Sequence, residues 1–401
     1  MRIAFVTFEF PPRINGGAGI YADMITRELS SLGHEVTIFT PRFDREKMDR
    51  DIGSIRVSPV FVRRSRPMHA LQFWMRLPEG IKREETNEGE FDIVHINGIS
   101  YWFIHRKLTQ SPHVITIHHL SKDAARSGDL SWTSRVRDFH GENGLLMTFL
   151  ERRAVASVNR IIADSDYTRR RLIEEYRIEP AIVTTIRCGI SHVDHPLTAN
   201  EINAMRRGLC LPNKPLILFV GRINDPRKGL DILLKAFKLV LQKIDSMLII
   251  VGKGDKTRIS ELEHELRIEN SIIHTGYVDN MILHQLYSIC DVYVCPSRLE
   301  GFGLTLLEAM NAGNPVIASA TGAIPEIVKD RENGLLFAKD DYNELANGII
   351  EILTNENLRN ALVRGGIETA NSYDWHSAAE QTIDLFNAVI QESEMENNHR
   401  E

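Results

Sequence analysis

The chain reads as an α/β protein of two doubly wound, Rossmann-like domains facing each other across a cleft. Three observations predict this. Short β-branched runs alternate with helical patterns along the whole sequence. The strand runs are almost continuously apolar, as parallel strands covered on both faces are. The βα series then restarts after a polar, proline-containing stretch near residues 195–214. With 401 residues the chain is long for one core and comfortable for two.

The elements follow in order. Strands are expected at Ile3–Thr7, Val36–Thr40, Ile55–Val62, Ile93–Asn97, Val114–His118, Ile161–Asp164 and Val183–Ile186. A helix over Gly19–Ser31 is closed by Gly33, a good C-terminal signal. After Lys214-Pro215 come strands at Leu216–Val220, Leu248–Val251, Ile272–His274, Val292–Cys295, Val316–Ser319 and Leu335–Ala338. Helical patterns at Lys228–Leu241 and Leu283–Ile289 fall between them. The predicted domains are 1–200 and 201–374. A last helix from Trp375, within 375–401, follows the second strand series and is expected to pack back on the first domain.

Composition narrows the class. The chain is 43% hydrophobic and 25% charged, as soluble globular proteins are. No apolar run approaches the roughly 18 residues that a membrane span needs. Residues 1–8 are apolar but open the βα pattern without a small-residue cleavage site, so they read as the first strand. Cys188, Cys210, Cys290 and Cys295 show no paired spacing for zinc or redox chemistry and suit the reduced interior of a cytoplasmic protein. Net charge is −6, split as about +3 over residues 1–200 and −9 over the rest. That is too weak a basic bias for a nucleic-acid partner.

The segment Pro296-Ser-Arg-Leu-Glu300-Gly301-Phe302-Gly303-Leu304-Thr-Leu-Leu-Glu308 carries the sharpest chemistry. A strand ends, a turn with two glycines follows, and a helix begins. N–H groups at such a start bind anions, while Glu300 and Glu308 repel anions and accept hydrogen bonds from hydroxyls. Together they suit a ligand with phosphates in the middle and hydroxyl-rich groups on either side, the form of a nucleotide-sugar. In open α/β sheets ligands bind beyond the carboxyl ends of strands. Gly221-Arg222 and Lys228-Gly229 follow one such end, and two cations there suit a diphosphate. Surface charge is the simpler reading of Arg222 and Lys228, but the Glu pair converges on the same ligand; ordinary helix capping explains one Glu and not the glycines beside it.

In the first half, Gly16-Gly17-Ala-Gly19 opens a helix. Gly17–Ala22 fits a loose dinucleotide fingerprint, but nine residues separate the strand from the motif, which should follow it directly. A glycine loop approached by a phosphate or an acceptor remains, against a merely flexible turn. His118 ends the fifth strand and is a candidate site residue; Asn97 ends the fourth and is weaker; His95, one pleat back, reads as structural. Asp164-Ser165-Asp166 resembles a metal motif but is better read as a helix cap. No metal site is expected. The basic, then apolar stretch 63–76 suits either a solvated loop leading into a buried helix or a peripheral contact with an anionic membrane at its inner face.

Taken together, these residues resemble the retaining GT-B glycosyltransferases of family 4, the glycosyl transferases group 1, which include phosphatidylinositol mannosyltransferases and sucrose and glycogen-type synthases. The pattern Pro296-Ser-x-x-Glu300-Gly-Phe-Gly, with Glu308 and then Gly313-x-Pro315 and Gly322-x-x-Pro325-Glu326, carries the likeness. The resemblance implies that Glu300 meets donor-sugar hydroxyls, that Glu308 holds the ribose, and that Arg222 and Lys228 hold the diphosphate. It also implies that backbone near Val278 meets the base and that His118 lies at the catalytic centre. Arg187-Cys188-Gly189-Ile190-Ser191 and His118-His119 depart from the family's usual Pro-Asn-Gly-Val-Asp and His-Asp, both on the acceptor side or hinge. The implied activity is retaining, metal-independent transfer from a nucleoside diphosphate sugar (UDP- or GDP-linked) to a sugar, lipid-linked or small-molecule hydroxyl, with no cofactor beyond the co-substrate. A nucleotide-sugar 2-epimerase of the same fold and a non-catalytic nucleotide-sugar binder are the alternatives.

Overall fold

The computed structural model describes residues 1–14, 16–43, 51–63, 69–98, 109–123, 149, 151–192, 198–209 and 211–398. Within them the chain divides into two units. Unit 1 runs to Gly189 and includes the chain from Asp374 onward; unit 2 comprises Ile190–Tyr373. The change of unit therefore precedes the 195–214 stretch. At Gly189 a Cβ would fall 2.1 Å from the backbone nitrogen of Trp375, so the outgoing and returning chains touch there and only glycine fits.

Unit 1 contains β1 (Arg2–Thr7), α1 (Gly17–Ser31), β2 (Glu35–Phe43), β3 (Asp51–Ile52), β4 (Ile55–Val62), α2 (His69–Glu88), β5 (Ile93–Asn97), β6 (His113–Ile117), β7 (Arg160–Ala163), α3 (Asp166–Tyr176) and β8 (Val183–Thr185). The strands form one sheet in the order β3-β4-β2-β1-β5-β6-β7-β8. Pairing is parallel except for β3 with β4. That short antiparallel turn, with Gly53 at φ 65°, lacks the length to show a sequence period and was not expected. β5 and β6 are buried at every residue, which explains why their sequences are mostly apolar and show no inside–outside alternation.

Unit 2 contains α4 (Ala199–Gly208), β9 (Leu216–Val220), α5 (Leu230–Leu241), β10 (Met247–Val251), α6 (Thr257–Leu266), β11 (Ile272–Gly276), α7 (Asn280–Ile289), β12 (Val292–Cys295), α8 (Leu304–Asn311), β13 (Val316–Ser319), α9 (Ile324–Ile327), β14 (Leu335–Phe337), α10 (Tyr342–Thr354) and α11 (Glu356–Ala370). Its sheet is parallel, ordered β11-β10-β9-β12-β13-β14. α12 (Trp375–Asn398) returns to unit 1 and packs along α1. Trp375 meets Tyr21 edge-on at 6.0 Å between ring centres, and Phe386 meets His95 at 5.4 Å.

Each sheet reverses strand order once near its middle. In unit 1 the reversal separates β1 from β5, and in unit 2 it separates β9 from β12. Loops leaving adjacent strands diverge at such a point and open a crevice at the carboxyl ends. Gly16, Gly17 and Asn97 lie at the first reversal, and Arg222, Lys228 and Glu300 at the second; His118 follows the neighbouring β6, and Val278 follows the edge strand β11.

Candidate functional site

In unit 2, β9 delivers Gly221 and the short 3₁₀ turn Pro226–Lys228, while β12 delivers the loop to Glu300 and the start of α8. The two loops touch. Gly229 has φ 65°, and a Cβ on it would sit 1.9 Å from the Pro296 carbonyl oxygen. Lys228 Nζ donates to Glu300 Oε1 at 2.7 Å, and the Ser297 hydroxyl donates to the same oxygen at 2.7 Å. Both bonds fall on Oε1, so neither occupies Glu300 Oε2. The Glu300 backbone is fixed as well, because its carbonyl accepts from Ala323 N–H at 3.0 Å. Gly322, at φ 57°, is obligatory beside it, since a Cβ would come within 2.2 Å of that carbonyl oxygen.

The cations expected for a diphosphate are both present, and both have carboxylate partners. Arg222 Nη2 lies 2.8 Å from Asp225 Oδ2, with its side chain 53% exposed. Asp225 also accepts from the Arg227 backbone and guanidinium. Burial opposes the charge on Asp225, yet Arg227 and Arg222 hold its pKa down at about 2, so it stays ionised. Gly303, at φ 113°, turns the chain into α8 without a side-chain cap. The N–H groups of Leu304 and Thr305 then have no intrahelical carbonyl to bond.

Glu308 lies one turn into α8, where it accepts from the Tyr287 hydroxyl at 2.9 Å. The residue keeps an exposed edge, but the packing around its carboxyl pushes its pKa above the usual carboxylate range, with the Tyr287 bond pulling it back. Gly301 is partly exposed, Phe302 and Gly303 are buried under the turn, and Leu304 is the first helical residue. Val278 is partly exposed just beyond the carboxyl end of β11, after Gly276 at φ 71°.

In unit 1, His118 follows β6 directly. Its Nδ1 lies 3.1 Å from Asp164 Oδ2 and its Nε2 2.8 Å from Asn97 Oδ1. The Asn97 amide cannot turn, because its Nδ2 donates to Thr7 Oγ1 at 3.1 Å and to Ala18 O at 2.9 Å. The Thr7 hydroxyl spends its own proton on Glu9 O. Asn97 therefore presents oxygen to His118, and Nε2 carries the proton. Burial raises the Asp164 pKa, and the bond to His118 lowers it. Sequence reasoning had Asp164-Ser165-Asp166 as one cap. In the structure only Ser165 caps α3, accepting from Thr168 N–H at 3.1 Å. Asp164 serves His118, and Asp166 accepts from Thr185 and Arg187.

Gly16 and Gly17 are exposed at the start of α1. Gly16 has extended backbone, and a Cβ on it would meet nothing within 4 Å, so neither packing nor backbone conformation demands glycine there. Asn15 lies outside the described residues. His95 is buried against Thr116, with Nε2 2.8 Å from that hydroxyl, and burial drives its pKa down to about 3; it is a neutral core residue. Sequence reasoning missed Asp164, Asp225, Ser297 and Tyr287. Each acts through a partner remote in sequence or within a loop, where no period marks it.

Two doubly wound, Rossmann-like units make up the GT-B fold, an architecture that glycosyltransferases share. The chain matches the Glycosyltransferase Family 4 model over residues 15–193 and the glycosyl transferases group 1 model over 202–369. It belongs to the family 4 glycosyltransferases, of the GT-B fold. An uncharacterised glycosyltransferase of Methanocaldococcus jannaschii is 27% identical, over 98% of this chain and 99% of its own. A phosphatidyl-myo-inositol mannosyltransferase of Mycolicibacterium smegmatis is 28% identical, over 97% and 94%. Among solved structures, a sucrose-phosphate synthase from Thermosynechococcus elongatus aligns with a TM-score of 0.82 at 24% identity, covering 97% of this chain and 99% of that one.

Proposed function

We propose that this glycosyltransferase moves a sugar from a nucleoside diphosphate sugar, UDP- or GDP-linked, to a hydroxyl of a sugar, lipid-linked or small-molecule acceptor. Transfer retains the anomeric configuration and uses no metal ion. One observation carries the reading: Lys228 Nζ and Glu300 Oε1 stand 2.7 Å apart beside the start of α8. A phosphate-binding cation and a hydroxyl-accepting carboxylate are thus placed side by side, as the junction of sugar and diphosphate requires.

In this reading Glu300 Oε2 accepts from sugar hydroxyls, Glu308 from the ribose, and the backbone near Val278 meets the base. As the bond from the anomeric carbon to the phosphate oxygen breaks, its electron pair goes to the diphosphate. Arg222, Lys228 and the N–H groups of Leu304 and Thr305 stabilise that charge, where one preorganised donor is worth about 10²–10³ in rate. The sugar passes through an oxocarbenium-like state. The acceptor oxygen joins the anomeric carbon on the face the phosphate leaves, and the acceptor proton passes to a departing phosphate oxygen. His118 positions hydroxyls from unit 1. A hydroxyl reaching Nε2 shares its proton with Asn97 Oδ1, and Gly16 and Gly17 leave room for acceptor or phosphate to approach.

A peripheral membrane contact through 63–76 fits the exposed surface of unit 1. Phe61 and Met75 are 45% and 68% exposed, and the Arg76 guanidinium lies over the Phe61 ring. Arg64 and Arg66 lie outside the described residues. No described helix is long and apolar enough to cross a membrane.

Thermal-shift screening with UDP-, GDP- and ADP-sugars tests the donor, since a bound ligand raises stability by mass action. One sugar nucleotide should raise the midpoint and be consumed with an acceptor panel, giving a product of unchanged anomeric configuration by NMR. Inverted product, or loss of turnover on metal chelation, would overturn the corresponding part.

A further inference from the structure

Arg298 ties three loops of unit 2 together. Its backbone N–H donates to Arg227 O at 2.7 Å. Its guanidinium donates to Pro226 O at 2.8 Å, to both oxygens of Asp231 at 2.9 and 2.8 Å, and to Asp340 Oδ1 at 2.6 Å. The side chain is 14% exposed. Pro226 and Arg227 belong to the turn that ends in Lys228, and Asp231 stands in the first turn of α5, just beyond Gly229. Arg298 itself lies two residues before Glu300, between Ser297, which bonds Glu300 Oε1, and Leu299.

Every bond that Arg298 makes to the β9 loop therefore fixes the turn bearing Lys228 against the loop bearing Glu300. A planar guanidinium suits this task, because a bidentate carboxylate bond sets direction as well as distance. A lysine offers one point of charge and cannot span the three loops. Asp225 braces the same turn from the other side through Arg222 and Arg227.

We infer that Arg298 is a positioning residue for donor binding: it touches no substrate and acts by holding Lys228 in register with Glu300. The inference rests on the proposed role of Lys228 at the diphosphate. A residue important only to the fold would lower stability and weaken every ligand whether or not Lys228 is present. A residue acting through Lys228 loses its effect when Lys228 is gone, and a double-mutant cycle separates the two.

The test is calorimetric titration of UDP and GDP into the native chain, Arg298→Met, Lys228→Ala and the double variant. For the nucleotide that binds, Arg298→Met should weaken affinity about tenfold in the native background and less than about twofold in the Lys228→Ala background. Arg298→Lys should fail to restore it. Asp231→Asn, which keeps one acceptor, gives a milder form of the same pattern should Arg298→Met not fold. Equal losses in both backgrounds, or rescue by Arg298→Lys, would overturn the inference while leaving the donor site standing. Absence of nucleotide binding by the native chain would overturn both.

Discussion

His118 Nδ1 sits 3.1 Å from the buried carboxylate of Asp164, while Asn97 holds the opposite nitrogen. The imidazole is thereby fixed in orientation from both sides. Asp164→Asn should slow transfer about 10–100-fold, the cost of a small misplacement near the reacting groups. Nucleotide affinity, which the proposed function assigns to unit 2, should not change. Initial rates and calorimetry check this, and an unaltered rate refutes the role of Asp164.

Lys228→Ala and Glu308→Ala should each weaken nucleoside diphosphate binding about 10–100-fold, as loss of a charge-assisted bond costs roughly 1.5–3 kcal/mol. Each change also removes a partner's bond: Glu300 keeps Ser297 alone as donor to Oε1 in one case, and the Tyr287 hydroxyl loses its acceptor in the other. Unchanged affinity in both variants would remove the donor-site assignment.

Glu151 gives the fold a pH dependence. It is buried and accepts from the Tyr176 hydroxyl at 2.5 Å and from Ser121 N–H at 3.0 Å. Burial raises its pKa from 4.5 to about 7, against the pull of both bonds. The folded state binds this proton more tightly than the unfolded state does. Its contribution to stability is therefore complete below about pH 4.5 and is lost as pH rises through about 7. The difference amounts to about 3 kcal/mol at most. Glu151→Gln keeps an oxygen for both donors, so the variant should gain on the native chain between pH 5 and 8 in urea denaturation. A constant difference would contradict this.

Two glycines should behave oppositely. Gly229→Ala forces a side chain at φ 65° into the Pro296 carbonyl. It should cost about 1–3 kcal/mol of stability and weaken nucleotide binding. Gly16→Ala meets open space and should leave stability within about 0.5 kcal/mol of the native chain while slowing transfer. A destabilised Gly16→Ala protein would assign that glycine to the fold instead.

Replacing Arg63, Arg64 and Arg66 together with glutamine should abolish co-sedimentation with vesicles rich in anionic lipid. No sedimentation of the native chain would end the membrane reading.

The strands were legible because a parallel strand covered on both faces is mostly apolar along its length. Val292–Cys295 and Ile93–Asn97 were read to the residue. Glu300 and Glu308 were legible because they bracket a glycine turn before a helix, a local signal. Their bonds were not. Lys228 and Glu300 are 72 residues apart and His118 and Asp164 are 46 apart, and such pairs exist only once the sheets close. Arg298, beside the motif, was read only as a letter of it, because its work is done on the β9 and β14 loops.

The Lys228–Glu300 contact gives the proposed donor site a counter-ion of its own. Lys228 Nζ carries three protons, so it can meet a diphosphate oxygen while keeping Glu300, and Ser297 holds the same carboxylate oxygen throughout. Under the proposed function an intact donor would bring sugar hydroxyls to this carboxylate, whereas a spent nucleotide would bring only charge of the same sign. Such a site would hold substrate more tightly than product, and the contact that helps load it would help clear it.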